Sequence, residues 1–482
     1  MVSFLGMKKT SYFPVTIQIE RLSPKGFGVG VAQKTPSSLK TKMLVPFAIP
    51  GDLVIAEIGS KKKGFYVGRL LEIVEKSKDR REAVCVHASS CGGCSLQSMK
   101  YEKQLEYKQS IIQELFHPLF PQEISSIISS VLEWRYRNKM EYTFSQNKVG
   151  ERFLGLMKAA TKGRVETLQE CHLSPSWFIE ILFAVKKWWD ESDLLAFHGV
   201  QNTGALRNLT VREGKKTHQK MVILTVSGNP EYALKKEHLT SFVAAIQSVL
   251  PNETPSVFLR IQQAIRGQTT QFFEMNLLGP NHIEEELEIC ADQYNRKYRF
   301  KISPTAFFQP NTLQAEKLYS KALEIAGLRE RNLVLDLYAG TATLGMIFSA
   351  FAKKVVAIEL NPYAVFDAEA NRELNQVSNL QVFKGDVSEV LKDLRKKDPL
   401  FQQPDLIVLD PPRTGLLPEA VEVVLSLNPL EILYISCSPK EQARDCLLFQ
   451  EAGYEITSIQ PVDQFPHTIH IENIVFLRKS TI

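Results

Sequence analysis

Two side chains near the C-terminus have the types and the setting that covalent catalysis needs. Cys437 ends the apolar segment ILYISC, and Glu472 lies in the segment HIENIVFL. A thiolate can form a bond to an electrophilic carbon, and a carboxylate can remove the proton that is released later. The pattern therefore predicts a thiol nucleophile and a carboxylate base, with His467 and His470 close to them in the chain.

Acidic residues end several of the preceding apolar segments. Asp336 precedes the turn YAGTATLG, in which Gly340 lets the backbone approach a ligand. Glu359 stands where a carboxylate can accept the hydroxyls of a ribose, and Asp386 could accept a hydrogen bond from an adenine amine. Asp410 precedes a Pro-Pro turn at the same edge. Each acid alone is also typical of a strand-end cap, but together they indicate a nucleoside-bearing cofactor. Without a GxxxxGK[ST] loop, S-adenosylmethionine (SAM) fits better than a nucleoside triphosphate.

The elements that must carry these residues are short apolar strands separated by helical stretches. This alternation predicts an α/β domain with a Rossmann-like, doubly wound sheet over residues 296–482. The predicted strands are NLVLDL (332–337), VVAIEL (355–360), LQVFKG (380–385), DLIVLD (405–410) and ILYISC (432–437).

The N-terminal part has a different pattern. Alternating apolar residues and glycine or proline turns predict a small OB-like β-barrel over residues 9–76, of the kind that binds nucleic acid. Between Lys61 and Arg81 there are eight basic residues against three acidic ones, which is typical of a phosphate-binding patch or of a solvated surface. The apolar periodicity of residues 77–295 predicts a mixed α+β region, in which the first helix covers residues 101–116.

The cysteines suggest a metal site. The chain has seven cysteines, and an odd number without an export signal argues against a disulfide framework. Cys85, Cys91 and Cys94 lie close together, and a distant Cys171 completes a set of four thiols. Zinc and iron–sulfur clusters both accept four cysteines, so the spacing alone leaves the two open.

The bulk composition excludes several classes of protein. Apolar residues make up 44% and charged residues 23% of the chain, as in an ordinary globular protein, and we find no apolar run of the ~18 residues that a membrane span needs. The segment MVSFLGMKKTSYF is too short in apolar residues for a signal peptide. We therefore expect a cytoplasmic protein without a membrane partner, and a monomer.

Taken together, these motifs resemble the RNA uracil-5-methyltransferase family, specifically the 23S ribosomal RNA (uracil-5-)-methyltransferases that carry an N-terminal TRAM domain. The resemblance covers nearly the whole chain. It rests on the barrel, the C-x5-C-GG-C-SLQ cysteine motif, YRNKMEY at 136–142, SPTAFFQPN at 303–311, and the late motifs DPPRTG, YISCSP and PHTIHIE.

The resemblance implies a role for each matching residue. It implies Cys437 as the nucleophile, Glu472 as the base that removes the C5 proton, and Phe307 as part of the segment that arranges the target base. It further implies a [4Fe-4S] cluster on Cys85, Cys91, Cys94 and Cys171, and SAM contacts from Gln309, Tyr338, Thr343, Glu359, Asp386 and Asp410. RNA, most of all 23S ribosomal RNA, is the implied partner.

Some positions depart from the family pattern. Ala339 and Ala342 stand where the loop commonly has cysteine and glycine, Thr343 is a frequent substitute for asparagine, and Ser438 replaces the usual asparagine after the catalytic cysteine. The alternative functions are a transfer RNA uridine-5 enzyme, another nucleic-acid methyltransferase such as a cytosine-5 enzyme, or a non-catalytic RNA-binding iron–sulfur protein. Against the cytosine-5 enzyme, no cysteine follows a proline.

Overall fold

The computed structural model describes residues 14–32, 41–62, 64–161, 163–264 and 270–480. Two predictions fall partly on residues outside the described ranges. These are residues 1–13, on which the predicted cellular location depended, and Lys63 of the basic segment. The chain divides into two compact units. Unit 1 comprises residues 1–104, 156–166 and 467–469, and unit 2 comprises the rest. The domain boundary predicted between residues 295 and 296 falls inside a strand, Tyr294–Ile302.

Unit 1 contains a small closed barrel, which confirms the predicted N-terminal β-barrel. Its strands follow the order β1-β2-β3-β5-β4. Residues of β1 alternate between exposed and buried, and Val15, Ile17 and Ile19 point into the core, as the alternating pattern predicts. The strands are β1 (Pro14–Leu22), β2 (Gly28–Ala32), β3 (Thr41–Val45), β4 (Leu53–Lys62) and β5 (Phe65–Glu75).

The middle of the chain is a mixture of helices and strands, as predicted, and its strand pairs are antiparallel except for the parallel pair of β10 and β11 among those whose register is described. A seven-stranded sheet has the order β12-β11-β10-β9-β6-β7-β8, and β13 and β14 form a hairpin. The first helix spans the predicted residues 101–116. The elements are α1 (Tyr101–Phe116), β6 (Lys139–Gln146), β7 (Arg152–Met157), β8 (Val165–Thr167), α2 (Ser176–Asp190), β9 (Leu206–Glu213), β10 (Lys220–Ser227), α3 (Lys236–Val249), β11 (Ser256–Gln263), β12 (Gln271–Leu278), β13 (Ile283–Ala291) and β14 (Tyr294–Ile302).

The C-terminal sheet, within unit 2, has the order β17-β16-β15-β18-β19-β21-β20. Neighbouring strands from β17 to β19 are parallel, and β21 lies antiparallel between β19 and β20. The elements are α4 (Thr312–Ala326), β15 (Arg331–Leu337), α5 (Thr343–Phe348), β16 (Ala352–Glu359), α6 (Pro362–Leu374), β17 (Leu380–Lys384), α7 (Val387–Lys397), β18 (Leu406–Leu409), α8 (Pro418–Ser426), β19 (Glu431–Ser436), α9 (Pro439–Glu451), β20 (Tyr454–Val462) and β21 (Glu472–Lys479).

The strand order of this sheet explains where a ligand can bind. The order reverses between β15 and β18, and in doubly wound sheets the crevice beyond the carboxyl ends at such a point is the binding site. Both faces of the sheet are covered. Val334 packs into one hydrophobic cluster and Leu333 and Leu335 into another. Burial on both faces explains why the strands read as continuous apolar runs.

A buried ion pair within unit 2 joins α1 to the loop between β20 and β21. The ammonium of Lys108 donates to Oδ1 of Asp463 at 2.6 Å, and both side chains are fully buried.

Among the described residues, no helix combines the length and apolar character needed to cross a membrane.

Candidate active site

Four reactive side chains meet where strands of the C-terminal sheet end. Asp336 lies in β15, Asp410 follows β18, Cys437 follows β19, and Glu472 begins β21. Because β15 pairs with β18 and β19 pairs with β21, these residues lie at one edge of the sheet. All four line a cavity of about 520 Å³. A cavity of this size accommodates a small organic ligand.

The loop between β15 and α5 forms one wall of the cavity. Tyr338 and Ala342 have positive φ angles of 63° and 55°, and Gly340 has one of 54°. A left-handed backbone is uncommon in residues other than glycine and occurs preferentially at functional sites. A Cβ at Gly340 would meet nothing within 4 Å, so the backbone there faces open space. The loop therefore leaves room for a ligand beside Tyr338 and Thr343, which both line the cavity.

Two of the predicted cofactor-binding acids are engaged with the backbone. Glu359 accepts N–H groups of Gly340 at 2.9 Å and Asn361 at 2.7 Å. Asp386 caps α7 by accepting the N–H of Ser388 at 2.8 Å. Both lie outside the lining of the cavity. The predicted residues that the structure brings together around it are Phe307, Gln309, Tyr338, Thr343, Asp410, Cys437 and Glu472.

The carboxyl groups in the cavity bind protons unusually strongly. Burial raises the pKa of Asp336 and of Asp410 to about 7. Burial and the charge of Asp410 raise the pKa of Glu472 well above its ordinary value. A carboxylate that is costly to leave ionised takes up a proton readily. When it is ionised, Glu472 is therefore a stronger proton acceptor than an exposed carboxylate.

The thiol of Cys437 is not ionised by its surroundings alone. Burial, together with the charges of Glu472 and Asp410, raises its pKa to about 11. Arg413, which also lines the cavity, acts in the opposite direction and is hydrogen-bonded to the thiol. No functional role was predicted for Arg413, although its place directly after the Pro-Pro turn was a usable signal.

The segment 303–311 contributes four consecutive residues, 307–310, to the lining of the cavity and is held by two side chains that are distant in the sequence. The amide of Asn138 donates to the carbonyl of Gln309 at 2.9 Å, and Arg212 donates to the carbonyl of Ala306 at 2.9 Å. Phe307, in contrast, is 66% exposed at the cavity. The segment thus holds a flat aromatic ring open to solvent on a rigid backbone.

Two further residues of the lining, Tyr319 and Arg137, were not predicted. The buried phenol of Tyr319 in α4 is hydrogen-bonded to Gln309, and burial raises its pKa well above the ordinary value. In the sequence Tyr319 is one of many core positions of a helix, so no signal separated it from the others. Arg137 belongs to the YRNKMEY motif, but its type alone did not place it here.

The two histidines near Glu472 have different places. His470 lines the cavity, and burial together with nearby positive charges lowers its pKa to about 4. His467 belongs to unit 1, where its Nδ1 lies 3.2 Å from Arg81 and 3.1 Å from Gln104. Only His470 of the two is therefore part of the candidate active site.

The four cysteines predicted to bind a metal are divided between the units. Cys85, Cys91 and Cys94 belong to unit 1 and Cys171 to unit 2, and all four are half-buried. The N–H of Gly93 donates to Sγ of Cys91 at 3.4 Å. In the part of the chain that the structure describes, no group of three or more histidine, cysteine, aspartate or glutamate side chains is arranged to hold a metal ion.

Comparison with known proteins gives close relatives over nearly the whole chain. A model of the tRNA (Uracil-5-)-methyltransferase family matches residues 258–480. An uncharacterized RNA methyltransferase of Protochlamydia amoebophila is 46% identical over 442 residues, covering 90% of this chain and 99% of the relative. Another, from Caldanaerobacter subterraneus, is 32% identical over 472 residues, covering 97% and 99%.

A solved structure is similar throughout. The crystal structure of Pyrococcus abyssi tRNA (uracil-54, C5)-methyltransferase in complex with S-adenosyl-L-homocysteine superimposes with a TM-score of 0.68 at 25% identity, covering 95% of this chain and 99% of that one. The sequence matches and the shared fold point to the same family, and the cavity at the strand ends is consistent with it. The chain belongs to the RNA (uracil-5-)-methyltransferase family.

Proposed function

We propose that this protein transfers a methyl group from SAM to C5 of a specific uridine in RNA, most specifically 23S ribosomal RNA, as a cytoplasmic monomer. The observation that carries the proposal is that Cys437 and Glu472 line one cavity together with the loop that follows β15. A nucleophile, a proton acceptor and a ligand-binding loop are the parts that this reaction requires.

The reaction explains why both side chains are needed. C5 of uracil is too weak a nucleophile to attack a sulfonium methyl group. When the thiolate of Cys437 forms a bond to C6, the electron pair of the C5–C6 double bond moves into an enolate, and C5 becomes nucleophilic. C5 then takes the methyl group as the bond between that methyl group and the sulfur of SAM breaks and S-adenosyl-L-homocysteine leaves, and Glu472 removes the C5 proton. The electron pair of that C–H bond restores the double bond as the C6–S bond breaks, which releases the thiolate.

The remaining residues of the cavity hold the two substrates in this scheme. Phe307 offers an exposed ring on which a uracil can stack. Gln309, Tyr338, Thr343 and Asp410 line the space for SAM. We propose that Glu359 and Asp386 contribute with the carboxylate lone pairs that their backbone contacts leave available. Support for SAM also comes from the Pyrococcus abyssi structure, which contains S-adenosyl-L-homocysteine.

The choice of RNA has two candidates. The proposal of 23S ribosomal RNA rests on the cysteine motif and the N-terminal barrel, which we infer to be a TRAM domain. A transfer RNA is the second candidate, because the Pyrococcus abyssi enzyme with the similar structure is a tRNA methyltransferase. The two candidates are distinguished in cells that lack the protein, because only the RNA that is its substrate should lose 5-methyluridine there.

We also propose that Cys85, Cys91, Cys94 and Cys171 hold a [4Fe-4S] cluster. Four thiolates form a complete ligand set, and the N–H of Gly93 supplies Cys91 with a hydrogen bond of the kind that stabilises a thiolate. In the described residues these side chains are not arranged as a metal site. The test of the proposal is therefore the iron and sulfide content of the anaerobically purified protein. Iron bound by the wild type and lost in Cys91→Ala supports the cluster, while zinc or no metal overturns it.

The function itself is tested by nucleoside mass spectrometry. RNA is taken from cells that lack the protein and that carry the wild type, Cys437→Ala or Cys290→Ala. Cys290 is an exposed thiol outside the cavity and serves as a matched control. We expect the wild type and Cys290→Ala to restore 5-methyluridine and Cys437→Ala to fail. Equal restoration by Cys437→Ala would refute the role of Cys437.

A further inference from the structure

Arg413 occupies a tight turn that directs it to the nucleophile. Pro411 and Pro412 follow Asp410 at the end of β18, and the N–H of Gly415 donates to the carbonyl of Pro412 at 2.9 Å. Gly415 adopts a φ of 71°, which glycine tolerates without strain. Arg413, exposed on its solvent side, follows Pro412 in this turn and is hydrogen-bonded to Cys437.

The charges around the thiol make this contact significant. Glu472 on β21 and Asp410 after β18 both disfavour a negative charge on the sulfur of Cys437. His470 lines the same cavity, but with a pKa of about 4 it is neutral at neutral pH and supplies no positive charge. The other charged or titratable groups that line the cavity are Asp336, Arg137, Tyr319 and Tyr338.

The other arginine of the cavity is engaged elsewhere. The guanidinium carbon of Arg137 lies 5.9 Å from the ring centre of Tyr136 and 5.7 Å from that of Phe465. These are distances at which a cation interacts with an aromatic face. Arg413 is thus the arginine that acts on the sulfur.

We propose that Arg413 is a catalytic residue, whose guanidinium donates a hydrogen bond to Cys437 and thereby stabilises the thiolate that attacks the substrate. The thiol proton passes to water, the electron pair stays on the sulfur, and the guanidinium remains protonated throughout. An arginine suits this task because it keeps its charge at every physiological pH. The proposal rests on the proposed function only in that Cys437 is the nucleophile.

The test measures the reactivity of the Cys437 thiol in the absence of RNA. Alkylation of Cys437 by iodoacetamide is followed by peptide mass spectrometry between pH 6 and pH 10 in the wild type, Arg413→Gln, Arg413→Lys and Arg137→Gln. Alkylation of Cys290 in each sample reports the intrinsic rate of an exposed thiol. Thermal unfolding and SAM binding verify that each variant is folded, and Arg413→Lys provides a milder variant if Arg413→Gln does not fold.

Since the pKa of Cys437 is about 11, only a small fraction of the thiol is ionised between pH 6 and pH 10, and we expect Arg413→Gln to lower the alkylation rate about tenfold at each pH in this range. Arg413→Lys should recover part of the rate, and Arg137→Gln should leave the rate unchanged. In turnover assays, kcat should fall in Arg413→Gln more than KM rises. An unchanged alkylation profile, or an equal shift in Arg137→Gln, overturns the proposal. If alkylation shifts but no uridine is methylated by the wild type, only the proposed substrate fails.

Discussion

Asp336 is a buried carboxyl group whose removal should stabilise the protein. Its side chain is 1% exposed, and its Oδ2 accepts the N–H of Gly345 at 2.7 Å. Asp336→Asn keeps an oxygen for this hydrogen bond and removes the ionisable group. Since burial raises the pKa of Asp336 from 3.8 to about 7, the ionised form is disfavoured in the folded protein.

The size of the effect follows from the two pKa values. Below pH 4 the carboxyl is protonated in both the folded and the unfolded chain, and Asp336 imposes no penalty. As the pH rises from about 4 to about 7, the unfolded chain releases the proton and the folded chain retains it, so the wild type loses stability; above pH 7 the loss is constant. A shift of about 3 units corresponds to about 4 kcal/mol, of which about 3 kcal/mol arises between pH 5 and pH 8.

The assay is thermal unfolding of the cofactor-free protein at both pH values. The difference in Tm between Asp336→Asn and the wild type should be larger at pH 8 than at pH 5 by about 3 °C. Asp398→Asn is the matched control. The N–H of Leu400 and the charge of Lys354 lower the pKa of Asp398, so its stabilising contribution is lost only as the pH falls below about 4, and the change in Tm of Asp398→Asn should be the same at pH 5 and pH 8. A Tm difference for Asp336→Asn that is the same at both pH values would refute the reasoning.

Three further variants test the site and its support. Glu472→Gln should lower turnover by about 10²–10⁴-fold and accumulate a protein–RNA adduct on denaturing gels, because the C5 proton is not removed; Cys437→Ala should form none. Asn138→Ala removes the bonds to Gln309 and Thr312, which should raise KM for SAM about tenfold in steady-state assays. Lys108→Met removes the buried cation that pairs with Asp463, which should cost about 3–5 kcal/mol in denaturant unfolding and be partly restored by Asp463→Leu.

Much of the C-terminal sheet was predictable because its strands are buried on both faces. Such strands consist of uninterrupted apolar residues, and each predicted segment coincides with an observed strand to within a few residues. Cys437 and Glu472 adjoin two of these strands, so their convergence followed from topology. The proximity of these two side chains was therefore predictable from the sequence.

Contacts between distant segments were not readable in this way. Asn138 and Gln309 are 171 positions apart, and Arg212 and Ala306 are 94 apart. Nothing in either local pattern specifies the partner. The motif YRNKMEY was noticed as part of a resemblance, whereas its physical role, which is to hold the segment that carries Phe307, depends on how β6 packs.

The acids at the strand ends show a second limit of sequence reasoning. Asp336, Glu359, Asp386 and Asp410 occupy equivalent places in the pattern, yet only Asp336 and Asp410 line the cavity, while Glu359 and Asp386 are bound to backbone N–H groups. Position along the chain decides which side chains reach the edge of the sheet. Whether a carboxylate there faces a ligand or caps a neighbouring turn is decided by side-chain rotamers and loop geometry, which the order of residues does not encode locally. Arg413 shows the same limit in the other direction. The sequence predicted no role for it, yet in the structure its side chain reaches Cys437.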